Sequence, residues 1–227
     1  PEPTGKPSRF RRAERRAVNL RMALDGPTGA GKTLSALLIA RGLVGAQGSI
    51  AVIDTEHGTA EKFYADRVEF DAAELTTYQP ADYVAAIEEA AEAGYTCLVI
   101  DSLSHAWSEG VLTMVDAKGG EFGAWRHVTP HHNRLVQALL TFPGHLIVTL
   151  RSKMAYEVSK GGDGKTRVEK LGLQPVQRAG LEYEFDVVCD VDLSHTLTVS
   201  KSRISALADR TVTAPNETWG REVAEAI

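Results

Sequence analysis

The residues with the clearest chemistry lie in one short glycine-rich segment. Positions 26–33 read Gly-Pro-Thr-Gly-Ala-Gly-Lys-Thr, which matches the phosphate-loop pattern G-x-x-x-x-G-K-[ST] at every fixed position. Glycines let backbone N–H groups turn toward a polyphosphate, Lys32 can reach the β- and γ-phosphates, and the Thr33 hydroxyl can bind Mg²⁺. The alternative, a glycine-rich turn with a chance lysine, does not require the full pattern. We therefore predict binding of ATP and Mg²⁺, with the nucleotide surrounded by Gly26, Pro27, Thr28, Gly29, Ala30, Gly31, Lys32, Thr33 and Leu34.

The segments on either side of this loop supply the strand and the helix that the motif requires. Along the whole chain, apolar strand-like runs alternate with helical patterns, which predicts an α/β fold with a mostly parallel sheet and helices on both faces. The last two strands are separated only by residues 192–196, which predicts an antiparallel hairpin at one sheet edge. The predicted strands cover residues 20–24, 50–54, 98–101, 146–150, 187–191 and 197–200, and the predicted helices cover 32–44, 81–93, 105–115 and 125–142.

One further predicted strand ends in a carboxylate that suits a magnesium site. Residues 97–101 form an apolar run that closes on Asp101. In a parallel sheet this carboxyl end lies on the same edge as the phosphate loop, so Asp101 is predicted to hold Mg²⁺ opposite Thr33, directly or through water. A strand that ends in aspartate is common, and the full phosphate loop gives it this meaning.

Another strand delivers a candidate for water activation. The run over residues 49–57 places Asp54 and Glu56 at the same predicted edge. Hydrolysis needs a group that orients and polarises the attacking water, and a carboxylate near the γ-phosphate can do this. We predict Glu56 for this role, with Asp54 next in line. The alternative is that Glu56 caps the turn after the strand.

Length, composition and charge restrict the other function classes. With 227 residues and 43% hydrophobic residues, the chain suits one α/β core. No apolar run approaches the roughly 20 residues of a membrane span, and the first residues show no signal-peptide pattern, so we expect no membrane partner and a cytoplasmic location. The net charge of −5 argues against general binding to nucleic acids, but basic residues concentrate over residues 9–21 and 151–178. For the first of these segments, a solvated arm is an equally good interpretation.

Several of these segments resemble the RecA family of ATPases. Val-Ile-Asp-Thr-Glu-His at 52–57 is similar to the RecA signature Ile-Asp-Ala-Glu-His, in which the glutamate activates water. Leu-Val-Ile-Asp-Ser-Leu at 98–103 is similar to the RecA Walker B strand with its trailing serine. The strand over 145–151, which ends in polar Thr149 and Arg151, falls where RecA has its sensor strand before a DNA-binding loop. The resemblance covers about residues 18–205 and implies a RecA-like P-loop core.

The same resemblance implies an oligomer, ring or filament, with ATP at the subunit interfaces. Lys201 and Arg203 follow the last predicted strand, as does the Lys-x-Lys with which a RecA neighbour reaches across to ATP. Both side chains project to one side of a strand end, although a solvated pair that deters edge aggregation is the alternative. Arg151 is a departure from RecA, because it stands near where RecA has the glutamine that couples DNA to ATP. The implied catalytic set is Glu56, Lys32, Arg151, Lys201 and Arg203.

A more specific resemblance is to the minimal RecA-like ATPases of bacteriophages, including the Sak-type single-strand annealing recombinases. The matching segments are residues 101–107, 125–130, 151–153 and 175–185. The resemblance implies action on single-stranded DNA in phage recombination or replication inside a bacterial host cell, with a single-strand binding protein as a further candidate partner. We expect a basic arm over residues 1–17, an ATPase domain over 18–214 and a tail over 215–227.

The segment 151–178 is the predicted DNA-binding element. Residues 159–170 within it are glycine-rich, charged and unable to build core, and long irregular loops in compact domains tend to be functional. We expect a mobile loop that orders on single-stranded DNA, with largely electrostatic contacts and Tyr156 as its one stacking candidate. Trp125 and Arg126 are weaker candidates. The residues predicted to face phosphates are Lys153, Lys160, Lys165, Arg167, Lys170 and Arg178.

Two other functions are compatible with a phosphate loop. One is a nucleotide-switched assembly module, such as a helicase loader or scaffold, with little turnover. The other is a small-molecule P-loop kinase, against which the acidic residues within 151–178 and the absence of a recognisable nucleoside pocket argue. DNA-stimulated phosphate release, nucleotide-dependent partner binding and phosphoryl transfer to a nucleoside separate the three functions.

Overall fold

The chain forms a mixed β-sheet flanked by helices. A computed structural model describes residues 12–14, 17–160 and 166–227, with the backbone alone for 155–160 and 166–172. The strands in this part of the chain are β1 (Arg21–Gly26), β2 (Ile50–Asp54), β3 (Asp71–Glu74), β4 (Cys97–Asp101), β5 (His145–Lys160), β6 (Thr166–Pro175), β7 (Val187–Val191), β8 (Thr196–Ser202) and β9 (Thr211–Thr213). They are arranged in the order β3-β2-β4-β5-β1-β7-β8-β9, and β6 pairs with β5 outside this path.

The central strands are parallel and buried on both faces. β1 pairs in parallel with β5 and β7, and β4 pairs in parallel with β2 and β5. Every residue of β1, β2 and β4 is buried, and such strands appear in a sequence as continuous apolar runs. The register places Asp54 beside Asp101 and Gly26 beside Arg151. The phosphate loop and the two acidic strand ends therefore meet at one edge of the sheet.

The far edge of the sheet is antiparallel. β7 pairs with β8 and β8 pairs with β9, both in the antiparallel sense. The predicted hairpin between the strands over 187–191 and 197–200 is therefore confirmed. β9, which the sequence pattern did not predict, forms the outermost strand.

Helices cover both faces of the sheet, as predicted. They are α1 (Lys32–Val44), α2 (Thr59–Tyr64), α3 (Pro80–Glu92), α4 (Leu112–Asp116), α5 (Trp125–Thr141) and α6 (Glu217–Ala226), and a π-helical turn, Ala106–Val111, leads into α4. α1 and α6 contribute to the core on one face, and α3 and α5 contribute to the core on the other. In the part of the chain that the model describes, no helix has both the length and the apolar character needed to cross a bilayer.

The C-terminal segment, expected to be a tail over 215–227, instead contains α6 packed against α1. Trp219 and Val223 of α6 are buried in the core. The two helices approach closely because each has a glycine at the point of contact, Gly42 in α1 and Gly220 in α6. A Cβ on Gly42 would lie only 2.8 Å from the Cα of Gly220. α6 has only ten residues, of which Trp219, Gly220 and Val223 are buried. A helix this short is stable only when it packs against the rest of the fold, and the sequence pattern does not reveal that packing.

The segment 151–178 also differs from the expected irregular loop. β5 continues past the sheet to Lys160 and pairs with β6 from Ser152↔Pro175 to Lys160↔Thr166, with a register shift at Ala155/Tyr156. The described backbone is thus a two-stranded antiparallel ribbon that extends β5 beyond the phosphate-loop edge. Pairing satisfies the backbone N–H and C=O groups that an irregular loop would leave to water.

Candidate nucleotide-binding site

The phosphate loop connects β1 to α1 at the carboxyl edge of the sheet. Gly29 and Gly31 have φ angles of 85° and 87°, a left-handed conformation that glycine adopts without steric cost. Helix α1 begins at Lys32 directly after Gly31. The positive end of its dipole and its free N–H groups therefore face the space enclosed by the loop, which suits an anion.

The ammonium group of Lys32 is held inside this loop. Its Nζ donates hydrogen bonds to the carbonyl oxygens of Gly26 and Pro27, both at 2.8 Å. Burial lowers the pKa of Lys32, although the nearby carboxylates of Asp101 and Asp25 oppose this effect. Because its two acceptors are neutral carbonyls, a phosphate oxygen can replace them and gain a charge-assisted hydrogen bond.

The carboxylate of Asp101 lies opposite Thr33, as predicted from the two motifs. The Thr33 hydroxyl donates to Asp101 Oδ2 at 2.6 Å, and the Thr149 hydroxyl donates to Oδ1. Burial raises the pKa of Asp101, and these two hydrogen bonds work against the rise. A hydroxyl and a carboxylate are oxygen donors of the kind that Mg²⁺ prefers, so Thr33 and Asp101 fit this ion. The described residues contain no cluster of three or more His, Cys, Asp or Glu side chains that could hold a metal.

Glu56, the predicted water activator, is paired with Arg151. Arg151 Nε donates to Glu56 Oε1 at 2.9 Å, and Arg151 Nη2 donates to Oε2. Burial would raise the pKa of Glu56, but the hydrogen bond and charge of Arg151 lower it overall. Arg151 is anchored in turn, because its backbone N–H donates to Ser104 Oγ at 2.9 Å. Both carboxylate oxygens of Glu56 are therefore engaged.

Asp54, the next candidate after Glu56, shapes the turn between β2 and α2. Its Oδ1 accepts from the backbone N–H groups of Glu56 at 2.6 Å and Gly58 at 3.3 Å. Its Oδ2 accepts from the N–H of Ala60 at 2.9 Å. Since three amides occupy this buried carboxylate, Asp54 positions Glu56 and is not available to a water molecule.

A cleft of about 620 Å³ runs along the loop. It is lined by most of the predicted loop residues together with Glu56, Asp101 and Arg151, so the predicted phosphate and water-activating groups share one space. The loop residues that line it are Thr28, Gly29, Gly31, Lys32, Thr33 and Leu34, whereas Gly26, Pro27 and Ala30 do not line it. The remaining walls come from segments far apart in the chain: Thr59, Tyr64 and Arg67 on one side, and His195, Ala214, Pro215 and Asn216 on the other. These side chains offer aromatic, apolar and hydrogen-bonding surface for a ribose and base. His195 Nδ1 lies 3.0 Å from the Ala30 carbonyl oxygen, which fixes this wall to the loop.

Lys201 and Arg203 do not reach the cleft of their own chain. β8 runs antiparallel to β7, and Lys201 pairs with Val188, so the end of β8 points away from the phosphate-loop edge. Lys201 Nζ donates to the carbonyls of Glu182, Tyr183 and Phe185 at 2.6–3.0 Å. Arg203 bonds Asp186 Oδ1 at 3.2 Å and the Tyr183 carbonyl at 2.7 Å. A role at a neighbouring subunit's nucleotide stays a prediction.

The predicted DNA-facing residues fall only partly within the described side chains. Lys153 is exposed near the base of the ribbon, and Arg178 is half-buried. The guanidinium of Arg178 lies 6.0 Å from the ring centroid of Trp125, which stacks on Trp107. The side chains of Lys160, Lys165, Arg167 and Lys170, and that of the stacking candidate Tyr156, lie outside the described residues.

Sequence reasoning did not identify several groups that the structure places at the site. In the sequence Thr149 is only a polar residue near a strand end, whereas in the structure its hydroxyl donates to Asp101. Tyr64, His195 and Asn216 belong to no sequence motif, because they line the cleft from segments that are far apart in the chain. Only their tertiary positions indicate a role.

The strand, phosphate loop and helix, with carboxylates on neighbouring parallel strands at the same edge, define a P-loop nucleotide-binding protein. The chain belongs to the AAA domain family, whose model matches residues 18–218. Membership indicates a nucleotide-binding domain with ATPase activity. No curated protein is similar enough to this chain to count as a match.

Proposed function

We propose that this protein is a RecA-like ATPase that hydrolyses ATP with Mg²⁺ and acts on single-stranded DNA in phage recombination or replication. One observation carries the hydrolytic part: Lys32, Asp101, Glu56 and Arg151 converge on one cleft beside the phosphate loop. This combination supplies a cation for the phosphates, a metal-binding carboxylate and a separate carboxylate for water.

Binding follows from the loop and its lysine. The loop N–H groups and the N-terminus of α1 surround the polyphosphate. Lys32 exchanges the Gly26 and Pro27 carbonyls for phosphate oxygens. We expect the base and ribose to occupy the part of the cleft that Tyr64 and Asn216 line. Thr33 and Asp101 would hold Mg²⁺, which when bound neutralises charge on the phosphate oxygens.

Hydrolysis requires a change at the Glu56–Arg151 pair. Glu56 accepts a proton as water attacks the γ-phosphorus, a new P–O bond forms, and the bond to the bridging oxygen breaks to release ADP and phosphate. With both oxygens bonded to Arg151, Glu56 is a poor proton acceptor. The γ-phosphate is a competing anion for the guanidinium, since Arg151 also faces the cleft. Its binding draws Arg151 away and releases Glu56.

Three observations support the DNA part of the proposal. The segments at residues 101–107, 125–130, 151–153 and 175–185 resemble the Sak-type recombinases. Residues 151–178 contain seven basic and three acidic residues in a chain whose net charge is −5. The ribbon formed by this segment begins at Ser152, directly after Arg151, so a contact with DNA phosphates along it has a direct covalent path to the partner of Glu56.

A second candidate function, a nucleotide-switched assembly module with little turnover, is favoured by the same ion pair. A carboxylate held by both oxygens describes a resting ATPase that binds nucleotide and hydrolyses it slowly. In this case a protein partner, such as a helicase, would respond to the nucleotide state.

Phosphate release with and without single-stranded DNA, together with the mass of the assembly in each nucleotide state, tests the proposal. We expect DNA to raise the rate and ATP to favour the homo-oligomer. Negligible hydrolysis together with nucleotide-dependent capture of a helicase would support the assembly module instead. Phosphoryl transfer to a nucleoside would contradict both.

A further inference from the structure

Ser102, the residue after Asp101, has a buried hydroxyl with no hydrogen-bond partner among the described residues. The residue is 1% exposed. Its backbone is fully engaged: the N–H donates to Thr55 Oγ1 at 2.8 Å, and the carbonyl accepts from Thr55 at 3.1 Å and from the Tyr83 hydroxyl at 3.2 Å. Buried polar groups in native proteins nearly always have partners. An orphan hydroxyl held so firmly in place therefore calls for an explanation.

The location of this hydroxyl supplies one. Ser102 lies against the turn that carries Glu56, because Thr55, the residue before Glu56, hydrogen-bonds both the N–H and the carbonyl of Ser102. In the structure Arg151 occupies both oxygens of this carboxylate. Two donors therefore lie near Glu56: the guanidinium of Arg151, which is bonded to it, and the hydroxyl of Ser102, which has no partner among the described residues.

We propose that Ser102 is a positioning residue for Glu56, an inference that rests on the proposed ATPase function. When the γ-phosphate draws Arg151 away, the Ser102 hydroxyl donates to one oxygen of Glu56. The other oxygen then faces the attacking water and accepts its proton. The orphan hydroxyl is the partner that Glu56 uses only in the reacting state.

Ser102 can orient Glu56 because its hydroxyl is a fixed donor, whereas the Glu56 carboxylate is an acceptor that can move. Three hydrogen bonds hold the Ser102 backbone, whereas a glutamate released from its arginine regains several rotamers. An O–H···O⁻ bond is short and strong, and it keeps the carboxylate in the one orientation that proton transfer needs. Without it, Glu56 is present but spends less time correctly aimed.

A purely structural role for Ser102 makes the opposite prediction for stability. If the hydroxyl bonded to the fold, its removal would lower the melting temperature. Since no such bond is made, Ser102→Ala removes an unsatisfied buried group, and the melting temperature should stay constant or rise. Activity and stability therefore separate the two roles.

The test compares Ser102→Ala with a matched control, Ser108→Ala. We expect kcat for ATP to fall about tenfold or more, the change that follows from loss of one hydrogen bond to a charged group, with KM little changed. The acid limb of the kcat profile should move to higher pH, because the proposed hydrogen bond from Ser102 stabilises the ionised form of Glu56 in the reacting state. Ser108 Oγ donates to the Ser104 carbonyl at 3.0 Å, so its removal should leave kcat at the parental value and lower the melting temperature slightly.

If the parent protein hydrolyses ATP and Ser102→Ala has the same kcat, the positioning role is overturned and the ATPase proposal remains intact. If the parent itself does not hydrolyse ATP, both proposals fail. A second measurement does not depend on the variant folding: a crystal structure of the parent with ADP and aluminium fluoride. It should show Ser102 Oγ about 2.5–2.7 Å from a Glu56 oxygen, and a separation beyond hydrogen-bond range would overturn the inference.

Discussion

The guanidinium of Arg151 bridges from β5 to the carboxylate of Glu56, which follows β2, across the intervening strand β4. The two residues are 95 positions apart in the sequence. Between them at the end of β4 lies Asp101, the candidate magnesium ligand. The pair thus joins the proposed water activator to the residue at which the β5–β6 ribbon begins to leave the sheet.

Replacing Arg151 by methionine should change the pH dependence of hydrolysis. Glu56 must be ionised to accept a proton, and Arg151 lowers its pKa, whereas burial alone would raise it. We therefore expect the acid limb of kcat/KM to move to higher pH in Arg151→Met. Affinity for ADP should stay near parental, and affinity for ATP should fall, because the proposed mechanism pairs Arg151 with the γ-phosphate, which ADP lacks.

The control for this change is Arg134→Met, which removes an exposed arginine paired with Glu88 at 3.6 Å. It should leave the pH profile unchanged. The pH dependence of kcat/KM reports the free enzyme, in which the pair is intact. An Arg151→Met profile that overlays the parental one would therefore show that Arg151 does not lower the pKa of the catalytic base.

Lys32→Ala should abolish ATP binding in a calorimetric titration, because it removes the side-chain cation that can reach the β- and γ-phosphates. The loop should keep its shape, since Gly29 and Gly31 set its backbone. Lys118→Ala, a lysine away from the cleft, serves as the control. Parental ATP affinity in Lys32→Ala would contradict the assignment of the site.

Glu56→Gln should separate binding from chemistry. Glutamine keeps the size and hydrogen-bonding capacity of the side chain but cannot serve as the base, so we expect parental ATP affinity and turnover lower by about 10²-fold or more. Glu61→Gln, an exposed glutamate in α2, should hydrolyse ATP normally. Asp54 is not a substitute base, because three backbone amides already bind its carboxylate, so a parental rate would require a group outside this site.

Lys201 and Arg203 are expected to act on the nucleotide of a neighbouring subunit. They lie at the end of β8 away from their own cleft, so the double variant Lys201→Ala/Arg203→Ala should bind ADP normally. Mixing it with Glu56→Gln chains, each inactive alone, should restore part of the ATPase activity, because a shared site can combine an intact Glu56 with an intact Lys201 and Arg203.

Loss of stability must be separated from loss of a shared site in that experiment. Lys201 binds three carbonyls of its own chain, so the double variant should melt at a lower temperature. Melting curves identify a temperature at which it stays folded. No recovery there, at concentrations where the chains assemble, would rule out the shared site.

The sequence identified the parts of the fold that have strong local signals. The predicted helix over 32–44 and the strands over 50–54 and 187–191 have the bounds found in the structure. The strand over 50–54 is buried along its whole length, and the strand over 187–191 is buried except at Asp190. The helix follows a motif with fixed geometry. The pairing of Thr33 with Asp101 was predictable as well, because parallel strands bring their carboxyl ends to one edge.

The features that the sequence did not reveal depend on tertiary contacts. Helix α6 is stable because Gly42 and Gly220 let it approach α1. The ribbon forms because β6 supplies partners to β5, while glycines at 161, 162 and 164 suggested a loop. The ion pair between Glu56 and Arg151 joins residues 95 positions apart, and no sequence motif predicts that they meet. In each case the missing information was which distant segments meet.

The last prediction concerns DNA, and it tests the segment 151–178 directly. Changing Lys165, Arg167 and Lys170 together to glutamine removes three of its seven basic residues. Each lost phosphate contact should weaken binding to single-stranded DNA and reduce the slope of log affinity against log salt by about 0.7. Basal ATPase should stay near parental, because the cleft residues are unchanged, while stimulation by DNA should fall.

A matched control removes the same charge from exposed arginines elsewhere, by changing Arg134, Arg210 and Arg221 together to glutamine. This control variant should bind DNA as the parent does. If the first triple variant keeps its affinity and salt slope, the DNA site lies elsewhere, with the arginines over residues 9–21 as the next segment to neutralise.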